Sequence, residues 1–345
     1  MNSHQITIAA FAALGQLFRD YVSGEKSDNP WVKDLGDALE SAASQNKWFT
    51  KDNLDFCINT WGDTLTAANV TTWLDAYPTP IKHQQRLGLV LAGNIPMVGL
   101  HDVLCGLASG YCMTIKRSSN DTVLLPFVVK FLIEKHPEWQ EKVHFTDGRL
   151  EKFDRVIATG SNNTARYFEY YFKNAPNIIR KTRNGVAVLD GNETEEDLAA
   201  LCTDIIQYFG LGCRSISHLM VPEGYDFNAL FLALYEHRDI IHHNAYANNY
   251  DYNKAVYLMQ ENDLLDNGFM MIKKDKGLNS PIACVHYSTY STLSEANESI
   301  ELQQDNIQCV VSNVINESLN FGQTQHPKLS DYADHIDTMD FLLKN

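Results

Sequence analysis

The 345-residue sequence predicts an α/β protein with a mainly parallel sheet, preceded by a helical N-terminal region. Three observations carry this. From Leu87 onward, short apolar runs of strand length alternate with amphipathic runs of helix length, and such alternation builds β-α-β units with parallel strands. Residues 87–115 contain one such unit complete. Residues 1–80 instead space their apolar side chains for helices.

The elements follow in order. In the N-terminal region Phe11, Leu14, Leu17, Phe18, Tyr21 and Val22 share one helical face. Trp31, Trp48, Phe49, Phe56, Trp61 and Trp73 supply bulk for packing, so the region reads as a cap on the main body. Residues 87–91 predict a buried strand, Ala92-Gly93-Asn94-Ile95-Pro96 a turn, 98–107 a helix and 111–115 the next strand. This stretch is nearly uncharged, yet its glycines, Pro96 and the pair His101-Asp102 suit a lipid-exposed helix poorly. A helix is predicted over 123–134 and strands over 143–146 and 155–158. The last strand ends in Thr159-Gly160-Ser161, and Ser161 is a fitting N-cap for a helix beginning near Asn163. Strands are predicted over 178–181 and 186–189, around Asn184-Gly185.

The clearest helix spans 194–209. Thr194 and Asp197 form a capping box, Leu198, Leu201, Cys202, Ile205, Ile206 and Phe209 line one stripe, and Gly210 ends it. Beyond it come a strand over 215–221, a helix over 227–235, strands over 282–287 and 309–312 with a helix over 294–302 between them, and an amphipathic tail over 331–343 that packs on a neighbour. The domain plan is a helical region (1–84), two α/β domains (85–209 and 210–320) and a C-terminal packing or oligomerisation segment (321–345).

Composition narrows the function. A formal net charge of −15 opposes nucleic acid and anionic lipid. Small anionic ligands remain open through local basic clusters, Lys116-Arg117 and Arg180-Lys181 with Arg183. The seven cysteines are odd in number and none has C-x-x-C spacing, which fits neither a zinc site nor a disulfide framework. With no basic n-region or cleavage site in residues 1–15, the expectation is a reducing, cytoplasmic compartment and no metal.

Four places have the chemistry for a site. Cys213 stands in Gly210-Leu211-Gly212-Cys213-Arg214-Ser215, where glycines open access to the sulfur and Arg214 favours its thiolate. In other surroundings such a cysteine is a small buried hydrophobe. Asn94 follows a buried strand, placed either to donate to a developing oxyanion or to serve a turn. Thr159-Gly160-Ser161, between a strand and a helix, presents backbone N–H groups to a phosphate. Lys116 ends a strand where a cation can hold an adenosine ribose, and Arg117 beside it favours a 2′-phosphate. Neither G-x-G-x-x-G nor a Walker motif is present. His237, His242 and His243 suit an exposed loop better than a metal, and Asp190 suits a turn.

Taken together, Gly93-Asn94-Ile95-Pro96, Ile115-Lys116-Arg117-Ser118, Thr159-Gly160-Ser161 and Gly210-Leu211-Gly212-Cys213 occur in the order of the aldehyde dehydrogenase signatures. With Asn279-Ser280-Pro281-Ile282-Ala283 and the closing Asp331-Tyr332-Ala333-Asp334-His335-Ile336-Asp337-Thr338-Met339, the chain resembles the fatty acyl-CoA reductases of the bacterial bioluminescence type over about residues 85–343. The resemblance implies an aldehyde dehydrogenase-like fold, with a dinucleotide-binding domain over 85–209 and a catalytic domain over 210–320. It implies reduction of acyl-CoA, of long chain, to aldehyde through an acyl-cysteine thioester. The cofactor implied is NADPH, with NADH as the alternative. A homo-oligomer or an acyl-transfer partner protein is implied as well. Cys213 matches the acyl-accepting cysteine and Asn94 the oxyanion asparagine. Lys116 and Ser118 match the adenosine-side contacts, and Thr159, Gly160 and Ser161 the turn at the cofactor pyrophosphate.

Two departures stand out. The general-base Glu of hydrolytic members is lacking where Val188-Leu189-Asp190-Gly191 is taken as comparable, and Asn279-Ser280-Pro281 replaces Glu-x-Phe-Gly-Pro. The rival expectations are a hydrolytic aldehyde dehydrogenase with Asp190 as base, and a non-catalytic dehydrogenase-like partner subunit.

Overall fold

The computed structural model describes residues 3–25, 28–78, 85–260 and 263–344. The chain divides into two units, one of residues 1–182 and 327–345, the other of residues 183–326.

The first unit opens with helices α1 (Ser3–Ser23), α2 (Pro30–Gln45), α3 (Lys51–Thr64) and α4 (Ala67–Asp75). Each of the last three starts on a side chain that accepts a backbone N–H: Asn29 from Trp31, Thr50 from Asn53 and Thr66 from Asn69. Phe11, Leu14, Leu17 and Phe18 are buried as predicted, whereas Tyr21 is half-buried and Val22 exposed, because α1 runs past the core at its last turn. Gly15 lets α1 touch the chain at Leu65; a Cβ there would lie 2.1 Å from the Leu65 carbonyl oxygen.

Five parallel strands follow: β1 (Arg86–Val90), β2 (Cys112–Lys116), β3 (Val143–Thr146), β4 (Arg155–Thr159) and β5 (Asn177–Arg180), in the order β3-β2-β1-β4-β5. Helices α5 (Leu100–Ala108), α6 (Leu124–Lys135) and α7 (Asn162–Phe172) connect them. α5 starts two residues later than the sequence predicts, since Met97 takes a left-handed φ of 51° and Gly99 is the N-cap.

The second unit holds a six-stranded sheet in the order β11-β6-β7-β10-β9-β8. Its members are β6 (Asn184–Val188), β7 (Ile216–Pro222), β8 (Leu264–Asp266), β9 (Met271–Lys274), β10 (Cys284–Tyr290) and β11 (Ile307–Val311). All neighbours are parallel except β8 with β9. Its helices are α8 (Glu195–Ile206), α9 (Asn228–Leu234), α10 (Asn244–Met259) and α11 (Leu293–Leu302).

Several expectations change. The units part at 182/183, where the sequence plan divides its two α/β domains at 209/210. β6 bonds to β7 and β11, so β6 and α8 belong with the second sheet. Asn184-Gly185 opens β6, which starts two residues before the predicted strand. A Cβ on Gly185 would lie 2.7 Å from the carbonyl oxygens of Arg214 and Ser215, so this glycine serves close strand approach. The helix predicted to Phe209 ends at Ile206, since Tyr208 and Phe209 both turn left-handed, at φ 55° and 58°. The tail is α-helical over α12 (Thr338–Leu343), after a 3-10 turn at Ala333–His335, and packs on its own unit, burying Thr338, Met339 and Leu342. The Tyr111 hydroxyl donates to the Leu342 carbonyl at 3.0 Å. Among the described residues no helix is long and apolar enough to cross a membrane.

Candidate active site

In the first unit β1 is the strand at which the chain changes direction across the sheet, with β2 on one side and β4 on the other. Val90 lies in register with Lys116 and with Ala158. The segments leaving these three strands therefore emerge side by side at the carboxyl edge, where ligands bind in open parallel sheets. Asn94, Lys116, Ser118, Thr159, Gly160 and Ser161 all lie on these strand ends and the segments that leave them.

Asn94 is exposed in the segment after β1. Gly93 backs onto Ser118, and a Cβ there would lie 2.5 Å from Ser118 Oγ. Buried Asp121 braces both segments, accepting the Met97 N–H and the Leu124 N–H at 3.1 Å each. Burial pushes its carboxyl up, against those hydrogen bonds. The helical cap adds Asn46, whose Nδ2 donates to the Asn120 carbonyl at 3.0 Å, and Cys57, whose thiol donates to the Pro96 carbonyl at 3.4 Å.

On the other side of β1, the Gly160 N–H donates to the Arg180 carbonyl at 3.2 Å, tying the end of β4 to β5. Ser161 caps α7, accepting the Thr164 N–H at 3.3 Å. The first turn of α7 directs its N–H groups and partial positive charge at this edge. Lys116 ends β2 half-buried. The donors are thus a cation, hydroxyls and a helix N-terminus in a chain of net charge −15, a set that fits the anionic phosphates and ribose of a dinucleotide. Arg117 donates to both oxygens of Asp147, at 2.9 and 3.2 Å. The sequence reading missed this partner, although Asp147 directly follows a predicted strand.

In the second unit Cys213 occupies a turn between the left-handed break and β7. Phe209 stacks on His243 with centroids 4.4 Å apart and tilts against Tyr246. This packing offsets the cost of two consecutive left-handed residues. The Ser215 N–H donates to the Gly212 carbonyl at 3.1 Å, closing the turn with Cys213 at its tip. The turn is anchored from three sides. The Gly185 N–H donates to the Ser215 carbonyl at 3.1 Å, Cys309 Sγ to the Arg214 carbonyl at 3.6 Å, and Gln325 Nε2 to Ser215 Oγ at 3.3 Å. Buried Asp204 fixes the segment carrying Gln325, taking bonds from the Gly322 N–H, the Thr324 N–H and the Thr324 hydroxyl.

Of the seven cysteines, all within the described residues, Cys213 is the exposed one; Cys112 is half-buried and the rest are buried. Burial pushes the Cys202, Cys284 and Cys309 thiols up to about 12, which suppresses their thiolates. At Cys309 the charge of Arg214 opposes this.

Asp190 is not placed to serve Cys213. β6 and β7 run parallel, with Gly185 beside Ile216 and Val188 beside Met220. Cys213 precedes β7 and Asp190 follows β6, so they flank opposite edges of the sheet, about 20 Å apart at strand rise. Asp190 is instead a turn residue. Its carboxylate takes the Asn192 N–H and Nδ2 at 3.0 Å each, and the Asn192 side chain is the main cause that holds its carboxyl below the usual range.

Asn279-Ser280-Pro281 does share the Cys213 edge, because β10 starts level with β7. It belongs to residues 275–283, which must run back across the sheet to join parallel strands β9 and β10. Leu278 and Ala283 are buried in this crossing, and polar side chains from the strands bond its carbonyl groups. His218 Nδ1 donates to the Gly277 carbonyl at 3.2 Å, His286 Nδ1 donates to it at 2.8 Å, and Ser217 Oγ donates to the Leu278 carbonyl at 2.7 Å. The histidine cluster near 237–243 disperses: His243 caps α10, accepting the Tyr246 N–H, and His242 is exposed beside Asp239.

No protein-family model matches the chain, and no curated protein matches it. Solved structures do. Aldehyde dehydrogenase 21 from Physcomitrella patens, in complex with the reaction product succinate, aligns at TM-score 0.64 and 12% identity over 98% of this chain and 88% of that one. The NAD+ complex of aldehyde dehydrogenase from Bacillus cereus aligns at TM-score 0.60 and 12% identity, covering 90% and 72%. The NAD-dependent aldehyde dehydrogenase from Sinorhizobium meliloti aligns at 0.60 and 13%, covering 94% and 72%. The chain has the aldehyde dehydrogenase fold.

Proposed function

We propose that this chain is a cysteine-dependent acyl-CoA reductase, releasing an aldehyde with NADPH as reductant. One observation carries the reading: of seven cysteines, the one that follows Gly-Leu-Gly is exposed at the tip of an anchored turn, while the others are buried or half-buried. The fold supports a nicotinamide dinucleotide, and the polar donors at the first sheet's carboxyl edge suit one.

Lys116, Ser118 and the Thr159-Gly160-Ser161 turn hold the dinucleotide. The Cys213 thiolate attacks the thioester carbonyl, the carbon–sulfur bond to CoA breaks, and the CoA thiolate leaves with the electron pair. The acyl group then rests on Cys213 as a thioester, and because sulfur replaces sulfur the transfer is nearly balanced. When bound, the reduced nicotinamide supplies a hydride to this carbonyl. The Asn94 amide and backbone N–H groups beside Cys213 stabilise the oxyanion. Breaking the carbon–sulfur bond releases the aldehyde and restores the thiolate. The position of Asp190 at the far edge of the second sheet argues against its use as a hydrolytic base.

The test is a set of acyl-CoA thioesters of graded chain length, followed through the absorbance of the reduced nicotinamide. Consumption with aldehyde formation is the expected result. Oxidation of aldehydes to free acids without CoA, and no reaction with thioesters, would overturn the proposal.

A further inference from the structure

At the carboxyl edge of the first sheet, β2 and β3 are adjacent, with Lys116 level with Thr146. Arg117 and Asp147 each lie one residue beyond, and one guanidinium nitrogen donates to both carboxylate oxygens, at 2.9 and 3.2 Å. The two partners differ sharply in how they are held. The Arg117 side chain is 25% exposed and lies over the Phe145 ring, 5.7 Å from its centroid. Its Nε is buried with no hydrogen-bond partner. The Asp147 side chain is 82% exposed. The cation is built into the edge, whereas its counter-ion hangs in solvent. An exposed ion pair of this kind is weak, and a guanidinium pairs with phosphate by the same charge-assisted bonds it makes to carboxylate.

In open sheets of this strand order, the residues after the strands on this side of the switch point meet the ribose that carries or lacks the 2′-phosphate. We propose that Asp147 sets the discrimination between the 2′-phosphorylated and the unphosphorylated dinucleotide, by occupying the Arg117 guanidinium that a 2′-phosphate takes. The inference rests on the dinucleotide reading of this edge. A 2′-phosphate must displace the carboxylate and stay beside its negative charge, so Asp147 lowers the affinity for NADPH and leaves both cofactors usable.

The test is fluorescence titration of the full chain with NADPH and with NADH, read as the ratio of the two dissociation constants. In the wild type the constants lie within about tenfold of each other. Asp147→Asn and Asp147→Ser each shift the ratio roughly tenfold toward NADPH, the size of one charge contact near a surface. Arg117→Ser shifts it the opposite way. Asp147 is exposed, so its variants fold, and thermal melts check this. A ratio unmoved by both Asp147 variants, or unmoved by Arg117→Ser, would overturn the inference while dinucleotide binding stands. Failure of the wild type to bind either cofactor would overturn the dinucleotide reading, and the inference with it.

Discussion

The Arg180 guanidinium and the Asp102 carboxylate form an ion pair buried in the first unit, joining the end of β5 to α5. Arg180 Nη2 also donates to Thr338 Oγ1 of α12 at 3.0 Å, and its backbone carbonyl accepts the Gly160 N–H. One residue thus ties the C-terminal helix, α5 and the Gly160 turn together. Removing one partner of such a pair leaves an uncompensated buried charge.

Asp102→Ala and Arg180→Met should therefore each lower stability by about 3–5 kcal/mol. Urea unfolding measures this. The double variant should lose less than the sum of the two, and additive losses would show that the pair is not coupled.

Cys213→Ala should abolish turnover of acyl-CoA while dinucleotide affinity is retained. Incubation of the wild type with a labelled acyl-CoA should leave label on the protein, released by neutral hydroxylamine, and the variant should carry none. Label retained by Cys213→Ala would assign the acyl group to another side chain.

Asn94→Ala should lower kcat by roughly ten- to a thousandfold, the range for losing one oxyanion donor. Steady-state kinetics decides. A raised KM at constant kcat would make Asn94 a binding residue and remove it from transition-state stabilisation.

His218 should make stability depend on pH. Burial is the main cause that lowers its pKa from 6.5 to about 4 in the folded chain. Its Nδ1–H donates to the Gly277 carbonyl, while Nε2 takes the Ser288 hydroxyl at 2.8 Å. The groups facing it include His286 and Asp275. The unfolded chain binds the proton first, so the stabilisation is complete above 6.5 and is lost progressively as pH falls toward 4. The full loss is on the order of 3 kcal/mol. Asp275, held down to about 2 chiefly by Lys273, titrates below this window. Urea midpoints at pH 7 and pH 5 should differ in the wild type and differ less in His218→Gln. Equal pH slopes would exclude His218 as the source.

Much of the plan was legible in local sequence. Period and capping marked β1, β2, α7, the capping box of α8 and the buried face of α1, because side-chain spacing alone decides which face a core can cover. The Gly-Leu-Gly-Cys segment marked Cys213 by composition. α10 escaped notice, since its Asn- and Tyr-rich sequence buries only Ala245, Tyr246 and Tyr250 and shows no apolar stripe. β8 and β9 were missed with it.

The amino-acid sequence by itself determined the alternation of strands and helices, and with it a parallel α/β protein whose candidate groups follow strand ends. Tertiary structure alone decided which strands pair, and so assigned β6 to the second sheet and sent Asp190 and Cys213 to opposite edges. It also decided which cysteine reaches solvent and which carboxylates meet Arg117 and Arg180. The reason is physical: pairing, burial and ion contacts join residues far apart in the chain, and no local period encodes such a partner.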